Sequence, residues 1–319
     1  MSAPLFNRLA LIGMGLIGSS IARAAREQGV VNTVVATARS AQTRQRVKEL
    51  GIADEVVDSN AAAVKDADLV IVCVPVGQSG AVAKEIGPHL KAGIIVTDVG
   101  SVKGVVLRDM APHMPPSVHF IPGHPVAGTE YSGPDAGFAE LFVNRWCILT
   151  PPEKADAGAV DRLATFWRAL GANVDTMPAD HHDLVLGITS HLPHLIAYTI
   201  VGTADELSEV TRSEVLKFSA GGFRDFTRIA SSDPTMWRDI FIANKDAVLE
   251  MLGRFNEDLS ALTRAMRSGD GQALFDHFTR TRAIRQGIVE IGQDSAGPDF
   301  GRPHPHLTEE PEKKIRTTD

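Results

Sequence analysis

The sequence predicts an α/β domain with a doubly wound sheet, followed by an all-α domain. From residue 8 to about residue 151, short apolar runs rich in β-branched residues alternate with helical patterns. Strands that alternate with helices form right-handed crossovers, and these give a mostly parallel sheet covered on both faces. From residue 179 to about residue 291 the pattern is helical, with hardly any β-rich alternation. The predicted strands are residues 9–12, 33–36, 69–74, 94–99, 118–121 and 146–149.

The second half of the chain is expected to hold a helix at 157–170, a short extended piece at 172–177 and then the long helical run. Its stretches 184–188 with 192–201, and 241–252, are too apolar for a single thin helical bundle. Contact between two copies of the chain would bury these apolar stretches, so we expect a homodimer built through these helices. From residue 293 the chain is rich in proline, glycine and charge, which predicts a disordered tail.

Composition excludes several classes of protein. A length of 319 residues with 44% hydrophobic residues suits two ordinary globular domains. The net charge of −7 gives no reason to expect binding to nucleic acid or to a membrane surface. Both cysteines, Cys73 and Cys147, fall in predicted buried strands, which indicates reduced core packing in a cytoplasmic protein. We see no export signal and no run of about 18 uncharged apolar residues, so no membrane span is expected.

A glycine motif follows the first predicted strand and opens a helix-like run at 19–27. Gly13 permits a tight turn, Gly15 lets the backbone approach a pyrophosphate, and Gly18 lets helix and strand pack closely. The helix N-terminus adds N–H donors and a positive dipole. We therefore predict a Rossmann-type dinucleotide-binding domain at 1–175, an all-helical substrate and dimerisation domain at 176–292 and the tail at 293–319. The cofactor contacts assigned here also include Leu16, Ile17, Val74 and Pro75.

The end of the second predicted strand bears on the choice between NAD and NADP. An acidic residue ordinarily stands there to bind the ribose 2′-hydroxyl of NAD. This chain has Arg39 and Ser40, with Thr43 nearby, which could hold a 2′-phosphate through charge-assisted hydrogen bonds. NADP is therefore favoured over NAD. In the alternative interpretation Arg39 is a solvated charge that stacks on adenine.

Two later loops leave the carboxyl ends of predicted strands, where open α/β sheets bind ligands. The first carries Ser101 and Lys103, and the second carries His124 between glycine and proline residues. Ser101 can hydrogen-bond beside a nicotinamide, and Lys103 can cap the same region. Ser101 could equally be the N-cap of the next helix, and His124 could simply fill a turn.

Five sequence blocks, in this order, resemble the prephenate/arogenate (cyclohexadienyl) dehydrogenase family of the TyrA type. The resemblance covers about residues 8–290, and the order of the blocks makes it specific. The blocks are Gly13-x-Gly15-x-x-Gly18, residues 98–103 (DVGSVK), residues 123–130 (GHPVAGTE), residues 190–194 (SHLPH) and residues 222–230 (GFRDFTRIA).

The resemblance implies oxidative decarboxylation of prephenate to 4-hydroxyphenylpyruvate, or of arogenate to tyrosine, with NAD(P)+. His124 matches the catalytic histidine, a neutral base for the C4 hydroxyl, and Ser101 matches the residue that orients that hydroxyl. Arg228 matches the arginine that binds a substrate carboxylate, and its alternative is a surface ion pair with Asp225. The other matched positions are His194 near the substrate, and Glu130, Arg224, Asp225 and Trp237 in an ionic network at the pocket mouth.

Histidines also cluster at positions 181, 182, 191 and 194, so a metal site must be weighed. Zinc needs three or four converging ligands backed by carboxylates, and this spacing does not favour such a site. We expect no metal. His181 and His182 are placed near the start of the first long helix without a role, and His191 is either pocket lining or a core residue.

Two other functions stay open at this stage. A 3-hydroxyacid dehydrogenase would use a catalytic lysine in the helical domain, for which Lys217 and Lys245 are the candidates. A dinucleotide-sensing module would bind the cofactor without turnover. Within the resembled family, Arg224 favours prephenate, whereas Glu130 and Asp225 would suit the ammonium of arogenate, so the sequence does not decide the substrate.

Overall fold

The computed structural model describes residues 3–206 and 221–290, with the side chains of residues 289 and 290 excepted. The chain divides into two compact units, residues 1–252 and 253–319. Both the predicted tail at 293–319 and Lys217 lie outside the described residues.

A six-stranded, all-parallel sheet organises the N-terminal part, as the sequence predicts. Its strand order is β3-β2-β1-β4-β5-β6, so the order reverses between β1 and β4. The central strands are buried along nearly their whole length, because helices cover both faces. The short edge strand β3 is not among the predicted strands. The strands are β1 Phe6–Ile12, β2 Val31–Thr37, β3 Glu55–Val56, β4 Leu69–Val72, β5 Ile95–Asp98 and β6 His119–Phe120.

Helices pack the two faces into two separate apolar cores. One core gathers Phe6, Leu9 and Ile21 with the buried Trp167, and the other gathers Val70, Val96 and Val106 among its members. The helices in this part are α1 Leu16–Glu27, α2 Ala41–Leu50, α3 Asn60–Val64, α4 Ser79–Ile86, α5 Lys103–Met110 and α6 Ala157–Ala169.

A second sheet corrects the predicted topology. Residues 146–149 were expected among the strands of the parallel sheet, but β8 Trp146–Leu149 pairs antiparallel with β7 Gly123–Pro125 and parallel with β9 Asn173–Thr176. The chain leaves the main sheet after the two residues of β6, and Thr150 N–H donates to the Pro122 carbonyl at 2.8 Å to hold the new direction. His124 therefore lies in a short strand opposite Ile148, not in a loop.

Helices make up the C-terminal part, as predicted, within residues 179–206 and 221–290. They are α7 Ala179–Leu186, a π-helical turn Gly187–His191, α8 Leu192–Asp205, α9 Gly221–Thr227, a 3-10 turn Arg228–Ser231, α10 Pro234–Ala243, α11 Lys245–Ser268 and α12 Gly271–Glu290.

The helical run Ala179–Asp205 is long and apolar enough to cross a membrane, by length and composition only. Its most apolar 18-residue window has a mean hydropathy of 1.5, and 28% of that window is buried. Leu184, Ile188, Ile200 and Val201 are among its exposed apolar side chains. The expectation that no segment spans a membrane therefore stays a prediction.

Candidate active site

The glycine turn between β1 and α1 is shaped by close backbone contacts. Gly13 has a φ of +99°, a region that side chains other than glycine rarely adopt, and a Cβ there would overlap the Cys73 carbonyl. A Cβ on Gly18 would overlap the Gly13 carbonyl. In contrast, a Cβ on Gly15 would meet nothing within 4 Å, so the space beside this residue is open.

The N-terminus of α1 is suited to an anion. Gly15 is its N-cap, no side chain caps the first turn, and no acidic residue lies in that turn. The turn lies where the strand order reverses, which is the point at which doubly wound sheets bind ligands. Val74 contributes to the wall of the turn, since a Cβ on Gly13 would lie 3.2 Å from its Cγ1, and Pro75 follows it and is exposed. The residues assigned to this part of the cofactor therefore lie in the turn after β1, in the first turn of α1 and just beyond β4.

At the carboxyl end of β2, the predicted 2′-phosphate residues surround the start of α2. Ser40 is the N-cap of α2, its Oγ accepting from Thr43 N–H at 3.0 Å and lying 2.7 Å from Thr43 Oγ1. Arg39 is exposed, and Arg44 braces the backbone below it by donating to the Ala38 carbonyl at 2.6 Å. A helix N-terminus and an arginine thus stand side by side at this position.

A buried ion pair ties the end of β5 to the strand that carries His124. Lys103 Nζ donates to Asp98 Oδ2 at 2.5 Å and to the Gly123 carbonyl at 2.6 Å, and both side chains are almost wholly excluded from solvent. Asp98 also accepts from the backbone N–H of Gly100 and of Gly123. The suggestion that Lys103 caps the nicotinamide region is wrong, because its ammonium group is used inside the protein to fix the position of β7.

Ser101 lies at the turn from β5 into α5 and is partly buried. The possibility that it caps α5 is wrong, because the N-cap of α5 is Val102 and no side chain of this loop serves as a cap. The helix is capped instead from α7: Asp183 accepts from Lys103 N–H at 2.7 Å and from Gly104 N–H at 2.8 Å. The hydroxyl of Ser101 is therefore not needed to satisfy the helix end.

His124 is buried and is held by a second histidine. Its Nδ1 lies 2.8 Å from Nε2 of His182, and Nδ1 of His182 lies 2.9 Å from Asp183 Oδ1. Burial, with the nearby His182 and Lys103, keeps the pKa of His124 well below the usual histidine range. His124 is thus neutral at physiological pH, the state that a general base needs. Asp98, Lys103, His124, His182 and Asp183 together are called the buried polar cluster.

His191 and His194 pack around Trp237 on α10. The ring of His194 stacks on Trp237 at 3.6 Å between centroids, and the ring of His191 meets the same indole edge-on at 6.0 Å. Asn244 lies 3.0 Å from His191 Nδ1 and donates to the Asp183 carbonyl at 2.8 Å. Burial lowers the pKa of His191 to about 4. Nε2 of His191 and Nε1 of Trp237 are buried without a hydrogen-bond partner, so these two side chains pack in the core.

The predicted ionic network is only partly present. Arg228 pairs with Glu130 at 3.4 Å, which brings together two matched positions 98 residues apart in sequence. Arg224 pairs with its neighbour Asp225 at 3.2 Å, and both side chains are more than 70% exposed. Trp237 is buried in the core, with only 6% of its surface exposed, and is not part of an ion pair. The proposed pairing of Arg228 with Asp225 is replaced by these two separate pairs.

Neither cysteine is in a disulfide, and Cys147 is buried whereas Cys73, just beyond β4, is partly buried. Across residues 3–206 and 221–290, no group of three or more His, Cys, Asp or Glu residues is arranged to hold a metal ion.

Sequence reasoning missed the roles of three buried residues. The sequence predicts His182 on the first long helix without a function, and it indicates no role for Asp183 or Asn244. Each acts through a contact with a distant part of the chain: His182 with residue 124, Asp183 with residues 103 and 104, and Asn244 with residues 183 and 191. The one local signal was a histidine followed directly by an aspartate at the start of a helix.

The chain is similar to known proteins along most of its length. Residues 21–176 match the model of the prephenate dehydrogenase nucleotide-binding domain, and residues 178–280 match the model of the prephenate dehydrogenase dimerization domain. Cyclohexadienyl dehydrogenase of Zymomonas mobilis is 43% identical, over 88% of this chain and 95% of the relative. Prephenate dehydrogenase of Bacillus subtilis is 34% identical, over 92% and 79%.

Among solved structures, prephenate dehydrogenase from A. aeolicus in complex with hydroxyphenyl propionate and NAD+ superposes with a TM-score of 0.82. It is 32% identical, and the match covers 88% of this chain and 98% of that one. Two matching family models that together span most of the chain, a relative of 43% identity and a shared fold agree with the five motif blocks. The chain belongs to the prephenate dehydrogenase family of NAD(P)-dependent oxidoreductases.

Proposed function

We propose that this chain catalyses the oxidative decarboxylation of a cyclohexadienyl substrate, prephenate or arogenate, with NAD(P)+ in tyrosine biosynthesis. The observation that carries the proposal is the buried His124, held neutral next to the carboxyl ends of β5 and β6. The relatives named above are cyclohexadienyl and prephenate dehydrogenases, which supports the same ring chemistry here.

The residues at the glycine turn fit a nicotinamide dinucleotide. The open space beside Gly15 admits a pyrophosphate to the uncapped N-terminus of α1, where Leu16, Ile17 and Gly18 supply backbone N–H groups. A bound cofactor would supply the hydride acceptor. Ser101 follows β5 and His124 follows β6, and we assign both to the reacting end of the substrate.

His124 serves as the general base. As hydride leaves C4 of the ring, positive character grows on the C4 hydroxyl, and Nε2 of neutral His124 accepts that proton. The C1–carboxylate bond then breaks, CO2 leaves, and its electron pair completes the aromatic ring. The proton returns from His124 to the phenolate oxygen, so the reaction has no net proton change.

Arg228 binds a substrate carboxylate. Its guanidinium is partly buried, with 34% of the side chain exposed, and the ion pair with Glu130 directs it towards the loop after β7. A planar guanidinium suits a carboxylate through two parallel hydrogen bonds. His194 stacks on Trp237 and, like Arg228, comes from the helical C-terminal part of the chain. We assign it to the substrate pocket.

The cofactor preference is for NADP. Arg39 is exposed above the N-terminus of α2, and Ser40 and Thr43 offer hydroxyl groups there. An arginine and a helix N-terminus both favour a phosphate over a hydroxyl. Arg39→Ala should lower kcat/KM for NADP+ about tenfold or more and leave kcat/KM for NAD+ within about twofold, because a charge-assisted bond contributes about 1.5–3 kcal/mol. Lys48→Ala, an exposed change on the same helix, is the control.

The assembly is a cytoplasmic homodimer formed through the helical region at 176–292, with 1–175 as the cofactor domain. The match to a dimerization domain and the exposed apolar side chains of α8 support this proposal. Those apolar side chains can be buried by a second copy of the chain or by lipid. The polar start of α7, with Asp180, His181 and Asp183, argues against lipid, because charged and polar side chains are costly inside a membrane. Sedimentation of the purified protein without detergent checks both points.

A matrix of kcat/KM values, with prephenate and arogenate against NADP+ and NAD+, tests the activity and assigns the substrate. Turnover of at least one cyclohexadienyl substrate is expected. Reduction of cofactor with hydroxyisobutyrate alone would point to a 3-hydroxyacid dehydrogenase, with Lys245 at the start of α11 as its candidate catalyst. No turnover of any substrate, with tight cofactor binding, would favour a dinucleotide sensor.

His124→Asn should abolish most turnover. Because general-base catalysis contributes about 10²–10⁴-fold, kcat should fall by that factor while the Kd of the cofactor changes less than about twofold. His181→Asn, an exposed neighbour of the buried polar cluster, should leave both constants unchanged. A loss of cofactor affinity equal to the loss of kcat would argue that His124 is a structural residue.

A further inference from the structure

A continuous row of hydrogen bonds runs from His124 to the N-terminus of α5. His124 contacts His182 at 2.8 Å, and His182 contacts Asp183 at 2.9 Å. Asp183 in turn accepts from two backbone N–H groups, those of Lys103 and Gly104. The two histidine side chains are buried, so water does not compete for these contacts.

The carboxylate at the end of the row sets the proton positions along it. Asp183 is surrounded by donors, so it acts as an acceptor, and His182 must donate to it from Nδ1. Neutral His182 then has a lone pair on Nε2, which can only accept from Nδ1–H of His124. The remaining ring nitrogen of His124, Nε2, carries a lone pair and is free to accept a proton.

The opposite arrangement would disable the base. If His182 were protonated, both of its nitrogens would donate, and Nδ1 of His124 would have to accept. The single proton of neutral His124 would then lie on Nε2, the atom that has to receive the substrate proton. If His182 rotated away from Asp183, neither nitrogen of His182 would be fixed as the donor, and His124 would have no preferred tautomer.

We propose that His182 is a positioning residue that fixes His124 in the Nδ1–H tautomer, and that Asp183 anchors His182 by way of the α5 N-terminus. This inference rests on the proposed function, because it gives His124 the role of general base. During the reaction His124 takes the C4 hydroxyl proton on Nε2 while Nδ1–H continues to donate to His182. The proton returns by the same atom, so no proton moves to His182 or to Asp183.

The groups that face the two histidines come from several elements, and they bear on any measured pH profile. Lys103 and Asp98 lie behind them at the end of β5 and the start of α5, Cys147 lies on β8, and His191 lies in the π-helical turn. Burial raises the pKa of Cys147 well above its usual value, so the thiol stays neutral. Burial also lowers the pKa of His182, so this ring stays in the neutral state that the row needs.

Three substitutions at position 182 separate positioning from simple packing. His182→Leu fills similar space but removes both hydrogen bonds. His182→Gln can place an amide oxygen near the position of Nε2 and accept from His124. His182→Asn is too short to reach His124 but can still contact Asp183. His181→Leu, at the exposed neighbouring position, is the matched control for all three.

The expected result is a loss of kcat of about 10- to 100-fold in His182→Leu and His182→Asn, with KM and cofactor Kd nearly unchanged, since misplacement of a catalytic group can cost about 100-fold. His182→Gln should recover most of the activity. In ¹⁵N-histidine-labelled enzyme without substrate, the NMR shifts of His124 should show Nδ1–H in the wild type and in His182→Gln, and a shift towards Nε2–H in His182→Leu. The acid limb of the kcat profile should move in the same variants.

Unchanged kcat in folded His182→Leu would overturn the proposal. So would equal losses in the Leu and Gln variants with the His124 tautomer unaltered, because that pattern marks a purely structural role. Wild-type enzyme with Nε2–H on His124 would also overturn it. Failure of the wild type to turn over prephenate or arogenate defeats the proposed function instead, and the NMR measurement still decides the tautomer in that case.

Discussion

The glycine turn and the buried polar cluster lie close together in the fold but are built in opposite ways. The turn is made by backbone: Gly13 and Gly18 are required because side chains there would overlap neighbouring carbonyl groups. The cluster is made by side chains from β5, α5, β7 and α7, whose hydrogen-bond partners lie up to 80 residues away in the chain, as with Asp183 and the N–H of Lys103. The first region is set by local backbone geometry, whereas the second forms only when distant parts of the chain pack together.

The strongest test of this contrast is removal of one charge from the cluster. Lys103→Met leaves Asp98 buried without its cation, and breaking one partner of a buried pair costs about 3–5 kcal/mol. The free energy of unfolding, from urea titration at pH 7.5, should fall by that amount. Lys91→Met breaks an exposed pair with Asp68 and should cost less than about 1 kcal/mol. Equal effects of the two substitutions would mean that burial does not set the energy of the cluster.

The same contrast explains what the sequence could predict. Gly13, Gly15 and Gly18 are spaced by rules of local geometry and directly follow an apolar strand, so the turn and the parallel sheet could be predicted before the structure. His124 could be matched by motif, but its place in β7 could not, because β7 exists only through pairing with Trp146–Leu149. Lys103 shows most clearly what the sequence could not predict. Its position in the motif suggests a contact with the ligand, whereas in the fold its side chain points inward and binds Asp98.

The glycine turn itself can be broken in a way that separates fold from binding. Gly18→Ala forces a Cβ against the Gly13 carbonyl, and such overpacking should cost about 3 kcal/mol of unfolding free energy as well as cofactor affinity. Gly15→Ala meets no atom within 4 Å, so its unfolding free energy should change by less than about 0.5 kcal/mol. Isothermal titration calorimetry with NADP+ and NAD+ should nevertheless show weaker binding by Gly15→Ala, because the added methyl group would occupy the space in which we place the pyrophosphate. Unaltered binding would place the cofactor elsewhere.

The smallest effect concerns the histidine next to the cluster and appears only in acid. Burial lowers the pKa of His191 from 6.5 to about 4, so the unfolded chain binds this proton more readily than the folded protein does. Its contribution to stability is complete above about pH 6.5 and is lost as the pH falls towards 4. Between pH 8 and pH 5 this one residue should lower the unfolding free energy by about 2 kcal/mol.

Urea titrations of the wild type, His191→Gln and His181→Gln between pH 8 and pH 5 measure that loss. His182 and His124 add slopes of the same sign in all three proteins, because burial lowers their pKa values too. His191→Gln should therefore be less stable than the wild type at pH 8 yet lose about 2 kcal/mol less on acidification, whereas exposed His181→Gln should follow the wild-type slope. Parallel slopes for wild type and His191→Gln would show that His191 titrates as it does in the unfolded chain, and the packing of the π-helical turn against Trp237 would then have to be looser than the structure shows.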